Sequence, residues 1–204
     1  MARALAREIR KRNWEQMLLE LEAVALELFE VRGYGIVTVD ELASEAGISP
    51  RTFYRYFPAK EDVLQVRIDQ RSAALRRALA EQPEDEPPIR SLSRALADVV
   101  SAEDPELHRR WVQVIQSAPE TTRSVLGGIY LKSNGVMAEF LGSRLGLPAE
   151  DLMPTMLAAA AGGVLIAANT QWYLEGGSLA RRITDGFAAL EEFVSDGRRG
   201  LSSR

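Results

Sequence analysis

Between Ser49 and Lys60 the chain reads SPRTFYRYFPAK, with Arg51, Arg55 and Lys60 cationic, Ser49, Thr52, Tyr54 and Tyr56 carrying hydroxyls, and no acid. Guanidinium, ammonium and hydroxyl groups gathered in so short a stretch are donors for phosphate oxygens and base edges. Ser49-Pro50 is also a helix start, in which Ser caps and Pro takes the first helical position. The free NH groups and partial positive charge at that helix end, from Ser49 to Thr52, suit a phosphate. A second cationic cluster occupies residues 1–12, where Arg3, Arg7, Arg10, Lys11 and Arg12 face Glu8 alone. Read singly, the same residues also fit plainer roles. Tyr54 and Tyr56 could edge a core, Arg55 could lie on a solvated helix face, and the basic segment could be a solvated terminus.

Other chemistries find little support. The 204 residues include no Cys and one His, which excludes disulfides, a thiolate metal site, a Cys nucleophile and a His-rich zinc cluster. His108 lies in the charged run Glu106-Leu107-His108-Arg109-Arg110 and reads as a solvated or capping histidine rather than a general base. Glu150-Asp151 and Glu191-Glu192 read as charged helix surface, and Gly162-Gly163 as a packing element in an Ala-rich helix, not a phosphate loop. We expect no enzyme, no cofactor and no metal. The net charge of −4 and pI near 5.3 argue against coating nucleic acid by bulk charge, so the basic N-terminal end is a local asymmetry. No signal peptide is visible, and Leu152–Ala168, the most membrane-like stretch, reads as a buried helix. The expectation is a cytoplasmic protein without a membrane partner.

The elements that must hold these groups are helices. Trp14, Leu18, Leu21, Ala25 and Leu28/Phe29 recur at helical spacing, with Glu15, Glu22 and Arg32 elsewhere on the wheel, and Gly33 and Gly35 stop the helix. Thr38-Val39-Asp40-Glu41 is a capping box opening a short helix that Gly47 closes. A third helix runs from Pro50 to about Phe57, and a fourth from Lys60 to about Glu81. The QPEDEPP stretch, residues 82–88, is acidic and proline-rich and reads as a boundary. Beyond it, helices are expected near 89–102, 105–117, 119–145, 149–175 and 178–196, giving an all-α chain of about nine helices. Area scaling suggests that folding hides roughly 70% of the extended chain's surface, enough for one sizeable core or two small ones.

Two short helices joined by Gly47-Ile48-Ser49, with small Ala43 at their crossing and a basic second helix, have the organisation of a helix-turn-helix. The run AGISPRTFYRYFPAKEDVL, residues 46–64, resembles the signature of the TetR family of bacterial transcriptional regulators. Ala25-Leu26-Glu27-Leu28-Phe29, Gly33-Tyr34 and Thr38-Val39 match that family's first helix and turn. The detailed match covers about residues 21–64; the rest agrees in length and helical content only. The resemblance implies phosphate contacts at Thr52, Tyr54, Tyr56 and Lys60, and core positions at Phe53 and Phe57. Many members have Gly where Arg51 stands, which makes Arg51 the leading candidate for bidentate reading of a guanine. Tyr56 replaces a frequent His. With Arg12, Thr38, Ser49, Pro50 and Arg55, these complete the expected DNA-binding set. The domains are then a basic arm 1–12, a helix-turn-helix domain 13–59, a connecting helix 60–81, a linker 82–88, an effector-binding and dimerisation domain 89–197, and a tail 198–204.

Leu179, Ile183, Phe187, Leu190 and Val194 form an apolar seam on the final helix, and Ala158–Ala161, Gly162, Gly163, Ala167 and Ala168 allow close approach on the helix before it. Together they suit a four-helix contact between two chains, the arrangement TetR-like proteins use, although internal packing is the alternative. Trp111, Tyr130, Asn134 and Trp172 are candidate contacts for a small-molecule effector, each also explicable as ordinary packing. The reading is a homodimeric repressor that binds double-stranded operator DNA and is released by an effector. A constitutive DNA-binding protein, and a ligand carrier or enzyme with a vestigial helix-turn-helix, are the alternatives.

Overall fold

The computed structural model describes the backbone of residues 2–201 and the side chains of 14, 16–118, 127–128 and 131–192. Nine α-helices and one 3-10 helix make up the described chain: α1 (Ala2–Arg32), α2 (Val39–Glu45), α3 (Pro50–Tyr56), a 3-10 helix (Lys60–Gln65), α4 (Val66–Ala80), α5 (Pro88–Ser101), α6 (Pro105–Ser117), α7 (Pro119–Leu145), α8 (Leu152–Glu175) and α9 (Leu179–Leu201). The fold is all-α as its periodicity dictates, and no strand occurs among the described residues.

Two differences at the N-terminal end have local causes. The basic segment is not a separate arm, because its backbone continues α1 from Ala2; the Arg12 side chain lies outside the described residues. The expected helix from Lys60 opens as a 3-10 turn instead, with Asp62 accepting from the Ala59 NH (2.9 Å) and α4 starting only at Val66. The Trp111 indole NH of α6 donates to the buried Leu64 carbonyl of that turn at 3.1 Å.

The chain packs as two units, Met1–Gln70 with Pro105–Ile129, and Arg71–Asp104 with Tyr130–Arg204. The core of the first holds Leu21, Leu26, Phe29, Leu42, Phe53, Phe57 and Leu64, together with Trp111, Val114 and Ile115 from α6. Thus α6 returns to the N-terminal unit rather than joining the second one. His108, expected to be solvated, is 3% exposed and stacks beside Trp111, with ring centroids 6.1 Å apart. Its charged neighbours point outward, and Arg110 pairs with Glu30 of α1 at 2.7 Å, leaving the helix face that carries His108 turned inward. Glu22, placed by the helical wheel away from the core stripe, is buried too: it pairs with Arg67 at 3.5 Å and accepts from the Arg67 backbone NH.

The second unit's core gathers Leu75, Leu79, Leu92, Leu96, Met137, Leu141, Trp172, Ile183 and Phe187. Residues 82–88 are no loose linker, because Arg144 of α7 donates to the carbonyls of Pro83 (2.6 Å) and Glu86 (2.7 Å), and the Glu86 carboxylate takes Ser91 Oγ and Arg94. Of the α9 seam, Leu179, Ile183 and Phe187 are buried inside the chain, where α9 packs on α5 and α8; Leu190 is half-buried, and the Val194 side chain lies outside the described residues. Small residues of α8 serve the same end: a Cβ on Gly162 would come within 2.8 Å of Asn134 Oδ1, and one on Gly186 of α9 within 2.8 Å of Val164. Nor is α8 a wholly buried helix. It is apolar all round and long enough to cross a membrane by composition, yet only 22% of its most apolar window is buried, and Leu152, Met156, Ile166 and Leu174 lie exposed.

Candidate nucleic-acid interface

Local sequence sets the geometry of the α2–α3 pair. The Thr38 hydroxyl accepts from the Glu41 NH (3.3 Å), and Glu41 Oε2 accepts from the Thr38 NH (2.8 Å), closing the capping box. That backbone bond, followed by Arg32 at 2.6 Å, holds the Glu41 carboxyl down to about 2 from an ordinary value of 4.5. Thr38 is therefore occupied as a cap. At the far end Gly47 takes φ 68°, its NH returning to Ser44 O (3.1 Å) and the Ile48 NH to Ala43 O (2.8 Å). A residue in this left-handed conformation is most easily glycine, and the paired bonds form a Schellman stop. The chain turns at once into α3, where Ser49 Oγ accepts from the Thr52 NH at 3.1 Å and the two hydroxyls hydrogen-bond at 2.9 Å.

Seven-residue α3 is anchored by Phe53, which is fully buried, and by Phe57 just beyond it; their rings meet at 5.1 Å. Burying these two fixes what faces out. Arg51, Tyr54 and Arg55, spaced i, i+3 and i+4, share the exposed face, with Pro50 exposed and Thr52 half-buried beside it. Tyr54 is 55% exposed, far more than a core-edge tyrosine needs. Tyr56, at the helix end, sits between α1 and its own neighbour: its ring centroid is 3.9 Å from that of Trp14, and the Arg55 guanidinium carbon is 4.4 Å away. Trp14 was expected on the core stripe of α1, but it lies outside the packed cluster of the first unit.

Lys60 is positioned differently from the others. Its Nζ donates to the Tyr34 carbonyl (2.6 Å) and the Val37 carbonyl (2.8 Å) and stands 4.1 Å from the Tyr34 ring, while the Tyr34 hydroxyl donates to Glu61 at 3.0 Å. The ammonium is thus a clamp across the turn that joins α1 to α2. Of the candidate effector contacts, Trp111 belongs to the first unit's core and Trp172 to the second's, Asn134 lies against Gly162, and Tyr130 falls outside the described side chains. Among the described residues no cluster of His, Cys, Asp and Glu could hold a metal.

A basic short helix capped by Ser49, following another short helix across a tight glycine turn and exposing Arg51, Tyr54 and Arg55, is the DNA-reading unit of a transcriptional regulator. The model of the tetR family of bacterial regulatory proteins matches residues 22–66, and that of the MftR C-terminal domain matches residues 86–195. The chain belongs to the TetR family of transcriptional regulators. It is 27% identical to the HTH-type transcriptional regulator TcmR of Streptomyces glaucescens, over 94% of this chain and 90% of that protein. It is 30% identical to the transcriptional regulator MftR of Mycobacterium tuberculosis, over 73% of this chain and 76% of the relative. The fold matches that of Thermus thermophilus FadR, a TetR-family repressor solved with lauroyl-CoA, with a TM-score of 0.54 and 24% identity over 86% of this chain and 93% of that one.

Proposed function

We propose that this regulator is a homodimeric repressor that reads a two-fold operator through α3 and lets go when a small molecule binds the second unit. One observation carries the DNA contacts: Arg51, Tyr54 and Arg55 project from one face of a helix whose other face is pinned by Phe53 and Phe57. Arg51 reads a base, Tyr54 holds phosphate, and Ser49, Thr52, Tyr56 and Lys60 flank them, with Thr38 at the periphery. Selecting bound fragments from a random DNA pool tests this reading, with a two-fold sequence as the expected product. Half-sites should lie about 34–36 Å or a multiple apart, the spacing at which two reading heads meet one side of a duplex.

The open face of α8 supports dimerisation. Leu152, Met156, Ile166 and Leu174 form an apolar stripe unlike the surface of an ordinary monomer, and a second copy would cover it. With the α9 seam turned inward, α8 supplies the apolar part of the contact and the outer residues of α9 its rim. Sedimentation of the wild type and of Ile166→Glu tests it: a dimer is expected for the first and a monomer for the second.

The lauroyl-CoA held in the FadR complex supports a ligand with a long apolar part for this chain as well, received in the second unit near Asn134 and Trp172. Release requires that the ligand bind the conformer with the wrong head separation more tightly; equal affinity for both would shift nothing. Loss of operator binding on adding acyl-CoA thioesters of graded length is the measurement. As a DNA-bound regulator the protein works in the cytoplasm.

A further inference from the structure

Tyr56 lies exposed at the end of α3, yet among the described residues its ring meets Trp14 and Arg55. The Trp14 indole of α1 is 3.9 Å away between centroids, tilted by 45°, and the Arg55 guanidinium carbon is 4.4 Å from the ring centroid. Trp14 is half-buried and stands apart from the core cluster that takes Leu18, Leu21, Leu26 and Phe29 from the same helix. A large aromatic with no place in the core, packed on a surface tyrosine of the reading helix, has a use that packing alone does not supply. Tyr and Arg side chains lose rotamer freedom when they bind, and groups already held lose less.

We propose that Trp14 is a positioning residue for DNA binding, holding the Tyr56 ring, and Arg55 against it, so that the end of α3 offers its hydroxyl and guanidinium in one arrangement before DNA arrives. Trp14 then joins α1 directly to the reading helix. This inference rests on the DNA-binding reading above and adds a residue that the family signature, which begins after it, does not contain.

The test is a set of operator affinities on the full-length protein at fixed salt. Trp14→Leu keeps apolar bulk and loses the ring face; it should bind the selected operator about fivefold more weakly, whereas Trp14→Phe should stay within about twofold of wild type. Because Trp14 acts through Tyr56, Trp14→Leu should have no further effect in a Tyr56→Ala background. Thermal unfolding of each variant shows whether folding is intact, and Trp14→Phe remains a folded comparison if Trp14→Leu is not. Equal affinity of wild type, Trp14→Leu and Trp14→Phe overturns this proposal alone, as does full additivity with Tyr56→Ala. Failure of the wild type to select any DNA overturns the DNA-binding reading and this proposal with it.

Discussion

Lys60 Nζ reaches back across the chain to the carbonyl of Tyr34, 2.6 Å away, and to that of Val37 at 2.8 Å, so the start of the connecting segment is tied to the turn between α1 and α2. A cation that the family signature assigns to phosphate here also satisfies two peptide oxygens next to the buried rings of Phe29 and Tyr34. Its removal should be felt in the fold as well as on DNA.

Lys60→Met is expected to lower unfolding stability by about 1–3 kcal/mol, the usual cost of stripping a charged donor from carbonyls that cannot all reach water. Urea unfolding with an unchanged slope on denaturant is the check. Affinity for operator and for unrelated DNA should fall by similar factors, since the clamp holds the whole reading head and no particular base.

Arg51→Ala should leave stability unchanged within about 0.5 kcal/mol, because the side chain is exposed and anchors nothing. Operator affinity should fall by about 1–3 kcal/mol, with discrimination lost at one position in each half-site. A second selection with the variant, compared base by base with the first, reads this out.

Glu22→Ala should cost about 3–5 kcal/mol, because Arg67 would be left charged and nearly enclosed at the first turn of α4. Replacement of both residues, Glu22→Leu with Arg67→Met, should recover most of the loss. Melting temperatures of the three proteins decide the matter.

Glu41 titrates at about 2 in the folded chain and near 4.5 when unfolded, held down first by the Thr38 NH and then by Arg32. A depressed carboxyl stabilises above its unfolded value and loses that effect as pH falls through the folded one. The stability gap between wild type and Glu41→Gln should therefore be constant above about pH 5 and close between pH 4.5 and 2. Melting curves of the pair across that range supply the measurement.

Helix number, the capping box and the Ser-Pro start of α3 were legible in the sequence because each depends on neighbours a few residues apart, whereas the inward turn of Phe53 and Phe57 came from the resemblance to the TetR signature. Glu22, His108 and Trp111 were not, since what buries them comes from α4, α6 and the 3-10 turn, tens of residues away. A polar side chain on a helical wheel is placed outside by default; only a partner such as Arg67 reverses that, and nothing local announces the partner. The seam on α9 was found correctly as a seam, but periodicity gives a face without saying which helix covers it. Arg51, Tyr54 and Arg55 were legible as candidates one by one, but their common face emerges only with the burial of Phe53 and Phe57, and the contact of Trp14 with Tyr56 joins positions 14 and 56 and left no trace in either neighbourhood.

The return of α6 to the N-terminal unit has a consequence for dissection of the protein. Cutting after residue 82, where prolines and acids invite a boundary, would strip the indole of Trp111 from the Leu64 carbonyl and Arg110 from Glu30, and would open the apolar floor beneath α1 to water. A fragment ending there is half a building with one wall gone. The reading head of this regulator is assembled from two stretches of sequence with a foreign excursion between them, and no single scissor stroke can free it intact.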